Sequence, residues 1–197
     1  RVCRETALVL RECVQRENAI AVVACEPSCL SAIKDDWLEL DMGTEVDVQS
    51  LRELAAKSFL AEQFIEARWD AHPQAPASLQ RYAQAAEAPI LLHGHCHQKA
   101  LWGVETSARL LQRLFGEQAR VLDSGCCGMA GQFGYARYHY DLSMKIGEQS
   151  LFAGLREKPD AIVAAPGTSC RQQIYEGMDG RKALHPIEII AQAWNHR

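Results

Sequence analysis

The chain has 197 residues, 48% hydrophobic and 23% charged, with a formal net charge of −4. That length allows a real core, the composition is ordinary for a soluble globular protein, and the acidic balance argues against a nucleic-acid surface. No apolar run approaches the roughly 20 residues that cross a bilayer, and no basic-then-apolar leader opens the chain. It starts at Arg1, without Met and inside a helical pattern running from Cys3 to Val14, which reads as a fragment or a processed piece.

In chain order, the first buried-strand pattern is Ala19 to Ala24 (AIAVVA), followed by CEPSC and a helix start. Ser50 to Trp69 reads as one long, broadly apolar helix. Asp70 to Ala77 is rich in Pro and Ala and reads as a linker between residues 1–70 and 78–197. Pro89 to His93 (PILLH) is a second strand, and Lys99 to Gly116 a helix whose stripe is Leu101, Val104, Ala108, Leu111 and Phe115. Arg120 to Asp123 (RVLD) is a third strand, followed by a helix over Tyr135 to Glu157 with Tyr138, Leu142 and Ile146 on one face. Ala161 to Ala165 (AIVAA) is a fourth strand, and Pro186 opens the last helix. The strand runs do not alternate with polar residues, which suits strands covered on both faces. Strands alternating with helices predict an α/β fold with a largely parallel sheet. CEPSC and PGTSC each follow a strand with Ser-Cys at the same offset, so two related lobes are expected, the first incomplete.

Eight Cys is many for a chain without a leader, and in a reducing compartment Cys is more often metal-binding or catalytic than disulfide-bonded. Six of the eight fall just past the end of a predicted strand: Cys25 and Cys29, Cys96, Cys126 and Cys127, and Cys170. Ligands of open α/β sheets bind at that edge. Three strands of one sheet would bring Cys96, Cys126, Cys127 and Cys170 together. Helix starts and Gly-rich turns follow these Cys and favour thiolates. Gly125, Gly128 and Gly131 bracket the Cys-Cys pair, let backbone approach a cluster and aim N–H groups at sulfur. Cys3 and Cys13 read as small core hydrophobes.

Four thiolates suit zinc or an iron–sulfur cluster. Adjacent Cys126 and Cys127 are awkward for zinc, whose Cys ligands usually stand two to four residues apart, and easier to place on two corners of a cluster. Zinc and unligated or disulfide-forming thiols are the competing readings. His93, His95 and His97 alternate around Cys96. On a strand His93 and His95 would point one way and Cys96 the other, so these His read as structural residues. Lys99 and Arg171 read either as cations offsetting a cluster charge or as surface charges.

LLHGHCHQKAL, DSGCCGMAGQFGY, PGTSCRQQI and CEPSCLSAIKDD together resemble the cysteine-rich CCG domain of iron–sulfur oxidoreductases. Heterodisulfide reductase, glycolate oxidase and anaerobic glycerol-3-phosphate dehydrogenase each have an iron–sulfur component carrying that domain. The wording is most similar to the C-terminal iron–sulfur region of bacterial FAD-linked oxidases of the D-2-hydroxyglutarate/D-lactate dehydrogenase type. The family pattern is a Cys, then Cys-Cys-Gly, then Cys-x-x-Cys, usually twice. Here the second copy is Cys96, Cys126-Cys127-Gly128 and Cys170, with Gly167 where the pattern has another Cys. Of the first copy only Cys25 and Cys29 remain, one residue further apart than in the pattern, with Cys29 the candidate ligand.

The resemblance implies a 4Fe–4S cluster passing electrons between FAD and an acceptor in a flavin-linked 2-hydroxy-acid oxidoreductase. The chain carries no Gly-rich dinucleotide fingerprint, so FAD is expected on a partner domain or subunit of the parent protein and the isolated chain is expected to be inactive. The alternatives are a zinc module docking subunits and a cluster site that reduces a disulfide or quinone directly. The expected location is the cytoplasm, or the inner face of the membrane as a peripheral protein.

Overall fold

The computed structural model describes residues 2–16, 18–71 and 88–195, and the chain divides into two compact units, Arg1–Phe64 and Ile65–Arg197. The predicted linker falls largely outside the described residues. The fold is α/β, with parallel sheets flanked by helices.

In the first unit, α1 (Val2–Arg16) precedes β1 (Val22–Ala24). The short α2 (Pro27–Ser31) runs through a π-helical turn, Ala32–Asp36, into α3 (Trp37–Glu39). Then come α4 (Val48–Ala56) and β2 (Ser58–Leu60), which pairs in parallel with β1. Ala7, Val14, Ile33, Trp37, Leu51 and Leu54 form its core. Asp47 caps α4 by accepting the Ser50 N–H at 2.9 Å. The single long helix expected over Ser50 to Trp69 is instead α4, β2 and α5 (Ala61–Ala67). The apolar run holds a strand because Ser58 and Leu60 are buried there beside β1.

The second unit is a four-stranded parallel sheet of order β4-β3-β5-β6, with β3 (Ile90–Leu92), β4 (Ala119–Val121), β5 (Ile162–Ala164) and β6 (Ala183–Leu184). Side chains alternate across β3. Ile90 and Leu92 join Leu110, Leu111, Leu114 and Ile189 on one face; Leu91 joins Val163, Leu151, Phe152, Leu155 and Ile174 on the other. Both faces are covered, which is why the strands read as unbroken apolar runs.

The helix expected from Lys99 to Gly116 is two, α6 (Cys96–Leu101) and α7 (Glu105–Phe115), broken at Gly103 with φ +77°. Leu101 is consequently exposed, outside the stripe that held it in the sequence pattern. The helix expected from Tyr135 begins only at Tyr140: α8 (Tyr140–Gly147) passes through a π-helical turn, Glu148–Phe152, into α9 (Ala153–Arg156). Tyr138 and Leu142 are exposed, and Ser143, Gly147, Leu151 and Leu155 face inward instead. α10 (Thr168–Gly177) follows β5, and α11 (Pro186–Asn195) closes the unit from the expected Pro186. Among the described residues no helix is long and apolar enough to cross a membrane.

Candidate metal centre

The chain steps from β3 outward to β4, then crosses back over β3 to β5. The winding reverses there, and loops leaving β3 and β5 splay apart at their carboxyl ends, opening the crevice where such sheets bind ligands. Cys96 starts α6 after β3, Cys126 and Cys127 lie in the loop after β4, and Cys170 is the third residue of α10 after β5.

The four thiols form one chain of contacts. Cys96 hydrogen-bonds with Cys126, Cys126 with Cys127, and Cys127 with Cys170. Cys127 and Cys170 are 4% and 1% exposed, and both belong to the core of the second sheet face. Hydrogen bonds from Cys127 and then Cys96 pull the Cys126 thiol down to about 2. A hydrogen bond from Cys127, and His93 beside it, hold Cys170 well below the usual thiol range. The donors shift the opposite way: a hydrogen bond to Cys126 pushes Cys96 up, and the single Cys127 S–H, shared between Cys126 and Cys170, pushes Cys127 up. Along the chain of contacts, sulfurs held below the usual thiol range (Cys126, Cys170) thus alternate with sulfurs pushed above it (Cys96, Cys127).

The loop after β4 is tied on every side. Lys99 Nζ donates to the Ser124 and Gly125 carbonyls, the first of these very short. The Gly125 N–H donates to Ser150 Oγ at 2.7 Å rather than to sulfur, against the role expected for it. The Gly128 N–H donates to Cys126 Sγ at 3.3 Å, as a thiolate-stabilising amide should. Gly128 has φ +99°, and a Cβ there would lie 2.1 Å from the Ser143 carbonyl oxygen, so only glycine fits. Gly131 also has positive φ, but it is exposed with open space around it, and it shapes the turn. Ser143 Oγ donates to the Gly128 carbonyl at 2.9 Å, and buried Gln173 donates to Ser143. These two polar residues escaped the sequence reading; their signal is a Ser and a Gln facing inward on helices otherwise apolar on that side. Arg171 donates to the Ala165 and Pro166 carbonyls and so braces the loop before Cys170.

His93 stands differently from its sequence reading. The strand ends at Leu92, so the alternation does not carry on through His95 and Cys96. His93 is 1% exposed, and its imidazole, Cys127 Sγ and Cys170 Sγ lie within 4.8 Å of one another. Among the described residues these three form a group able to hold a metal ion. His95 caps α6, its Nδ1 accepting the His97 N–H at 3.2 Å.

Cys29 lies in the other unit. It is exposed, as is Cys25, and burial and then Glu26 push its thiol up, the reverse of what ligation favours. Like Cys170 it is the third residue of a helix following a parallel strand. Cys3 and Cys13 are half-buried on α1.

No family model matches the chain, and no solved structure does. A protein of Escherichia coli that forms one of the subunits of anaerobic glycerol-3-phosphate dehydrogenase is 28% identical over 176 residues, 89% of this chain and 41% of that protein. D-2-hydroxyglutarate dehydrogenase of Pseudomonas putida is 33% identical over 117 residues, 58% of this chain and 11% of that protein. The Escherichia coli D-2-hydroxyglutarate dehydrogenase is 24% identical over 172 residues, 87% of this chain and 15% of that protein. The chain thus spans less than half the length of each of these relatives. It is a homologue of part of that anaerobic glycerol-3-phosphate dehydrogenase component and of part of D-2-hydroxyglutarate dehydrogenase, the kinds of protein its cysteine motifs resemble.

Proposed function

We propose that this chain is an iron–sulfur electron-transfer domain of a flavin-linked 2-hydroxy-acid oxidoreductase, with Cys96, Cys126, Cys127 and Cys170 as ligands to a four-iron, four-sulfide cluster. The observation that carries the reading is the convergence of four thiols from three neighbouring strand ends into one contact chain, two of them held below the usual thiol range. The donor chemistry fits: thiolates are the ligands of such clusters, and a Gly128 amide meets one of them. The relatives named as dehydrogenases support a redox setting, and the name D-2-hydroxyglutarate dehydrogenase supports a 2-hydroxy acid as the parent's substrate. FAD belongs to a partner domain or subunit in this reading, and Cys29 lies outside the ligand set.

A bound cluster supplies storage for single electrons, which a flavin that takes two from a hydroxy acid must hand on one at a time. The protein's part is to hold four sulfurs fixed through β3, β4 and β5, and to tune potential through the Gly128 N–H and the dry surroundings of Cys127 and Cys170. Lys99 and Arg171 act by fixing carbonyls of the loops that lead into Cys126 and Cys170.

Anaerobic reconstitution of the chain tests this. About four iron and four sulfide per chain, with broad visible absorption, are expected. Stoichiometric zinc with no visible absorption would replace the reading by the structural zinc module.

A further inference from the structure

We propose that Ser143 and Gln173 are positioning residues of the metal centre: a one-way hydrogen-bond relay, from Gln173 through Ser143 to the Gly128 carbonyl, fixes the turn whose backbone N–H groups meet Cys126 and Cys127. The proposal rests on the reading that the four cysteines hold a cluster. Gln173 lies three residues after Cys170 on α10, one turn along the same face, and both are 1% exposed. Ser143 is buried on α8. The direction of the relay follows from donor and acceptor chemistry. A carbonyl only accepts, so the Gln173 atom 3.0 Å from the Ser143 carbonyl oxygen is the amide nitrogen. The same nitrogen donates to Ser143 Oγ, also at 3.0 Å. The Ser143 hydroxyl accepts there and has its own proton for the Gly128 carbonyl at 2.9 Å, a far better acceptor than Met129 Sδ at 4.0 Å.

The Gly128 carbonyl shares its peptide group with the Met129 N–H, and that N–H hydrogen-bonds with Cys127. A peptide group is planar, so holding its carbonyl holds its N–H. One residue earlier, the Gly128 N–H meets Cys126 Sγ at 3.3 Å. The turn packs straight onto the relay: a Cβ on Gly128 would lie 2.1 Å from the Ser143 carbonyl oxygen and 3.1 Å from Gln173 Nε2. Helix α10 therefore carries Cys170 itself and, one turn on, the residue that sets the amides of Cys126 and Cys127. Buried Ser and Gln cost free energy unless they are hydrogen-bonded. An apolar pair of similar size would fill the space and leave the Gly128 carbonyl without this donor. N–H groups aimed at cluster sulfurs stabilise the added electron and so raise the reduction potential.

The test measures the midpoint potential and iron content of anaerobically reconstituted wild type, Ser143→Ala, Gln173→Met and the double variant. Ser143→Ala is expected to keep most of its iron and to shift the potential to a more negative value. Gln173→Met should shift it the same way by less. Because Gln173 acts through Ser143, the double variant should match Ser143→Ala. Unchanged potentials, or shifts that add, overturn the proposal. A second measurement needs no metal. In the metal-free chain, Ser143→Ala should speed amide hydrogen exchange at Gly128 and Met129 by about fivefold or more. The His93 N–H, bonded to the Ala164 carbonyl at the end of β3, should keep its rate. Unchanged exchange at Gly128 and Met129, or the same acceleration at His93, overturns the proposal. If the wild type takes up no iron, the iron–sulfur reading fails on its own; there, or where a variant alone loses its iron, the exchange measurement decides the relay.

Discussion

Gly167 and His95 compete for one space. A Cβ on Gly167 would lie 2.3 Å from His95 Cδ2 and 3.2 Å from Cys170 Sγ, so the imidazole fills the volume that a side chain at position 167 would need. Gly167 has φ −76°, and its backbone would accept any residue; the constraint is steric. Gly167→Ala is therefore expected to destabilise the second unit by about 1–3 kcal/mol, as overpacking a buried site does. His95→Ala should relieve that cost. Denaturant unfolding of both single variants and the double variant should give a coupling above about 1 kcal/mol, whereas additive effects would contradict the shared space.

The same relationship explains why Gly167→Cys, which restores the Cys-x-x-Cys spacing, should not add a ligand on its own. The new thiol would have to enter where His95 packs.

The Cys-Cys-Gly turn makes a second prediction. Gly128 combines φ +99° with a backbone oxygen 2.1 Å from any added Cβ. Gly128→Ala is expected to cost on the order of 3 kcal/mol, backbone strain adding to the collision. Because the Gly128 N–H also meets Cys126 Sγ, iron uptake should fall with stability. Gly131→Ala, at a position with open space around it, should retain iron, its cost being backbone strain alone. Equal iron in both variants would remove Gly128 from the site.

How much of this could be read from the sequence depends on what each signal measured. The strands β1, β3, β4 and β5 were legible because burial leaves long apolar runs, and Ile90 to Leu92 pack on both faces. β2 was not, because Ser58 to Leu60 continue an apolar stretch that a helix would also tolerate. β6 has two residues, too short for any period to register. The meeting of Cys96, Cys126, Cys127 and Cys170 followed from their place after strands, since a parallel sheet puts all such places on one edge. The position of His93 did not, because it depends on where β3 stops, and a run of apolar residues fixes a strand's existence better than its last residue.

The cap of α4 gives a pH-dependent expectation. Hydrogen bonds from the Ser50 hydroxyl and N–H hold the Asp47 carboxyl below the usual carboxylate range. A carboxyl lowered in the folded state contributes stability above its unfolded value, near pH 4, and loses it as pH falls through the folded value. Asp47→Ala should lower the thermal midpoint of the chain at pH 7. Towards pH 2 the gap between variant and wild type should narrow, and a gap independent of pH would mean that Asp47 does not act through its charge.

The ligand assignment is tested by replacing cysteines singly with serine and assaying iron and sulfide after anaerobic reconstitution. Cys127→Ser and Cys170→Ser remove thiols that are buried in the core of the second sheet face and should lose most of the iron. Cys126→Ser removes the sulfur that bonds with both Cys96 and Cys127, and Cys96→Ser removes one of its partners; each should also lose more than half. Cys3→Ser and Cys13→Ser change residues on α1 and should match the wild type. Cys29→Ser is the sharper control. It alters the third residue of a helix that follows a strand, as Cys170→Ser does, but at an exposed thiol pushed up rather than down. Retained iron in Cys29→Ser beside lost iron in Cys170→Ser would separate the local motif from the site that uses it. Full iron in both Cys126→Ser and Cys127→Ser would end the assignment.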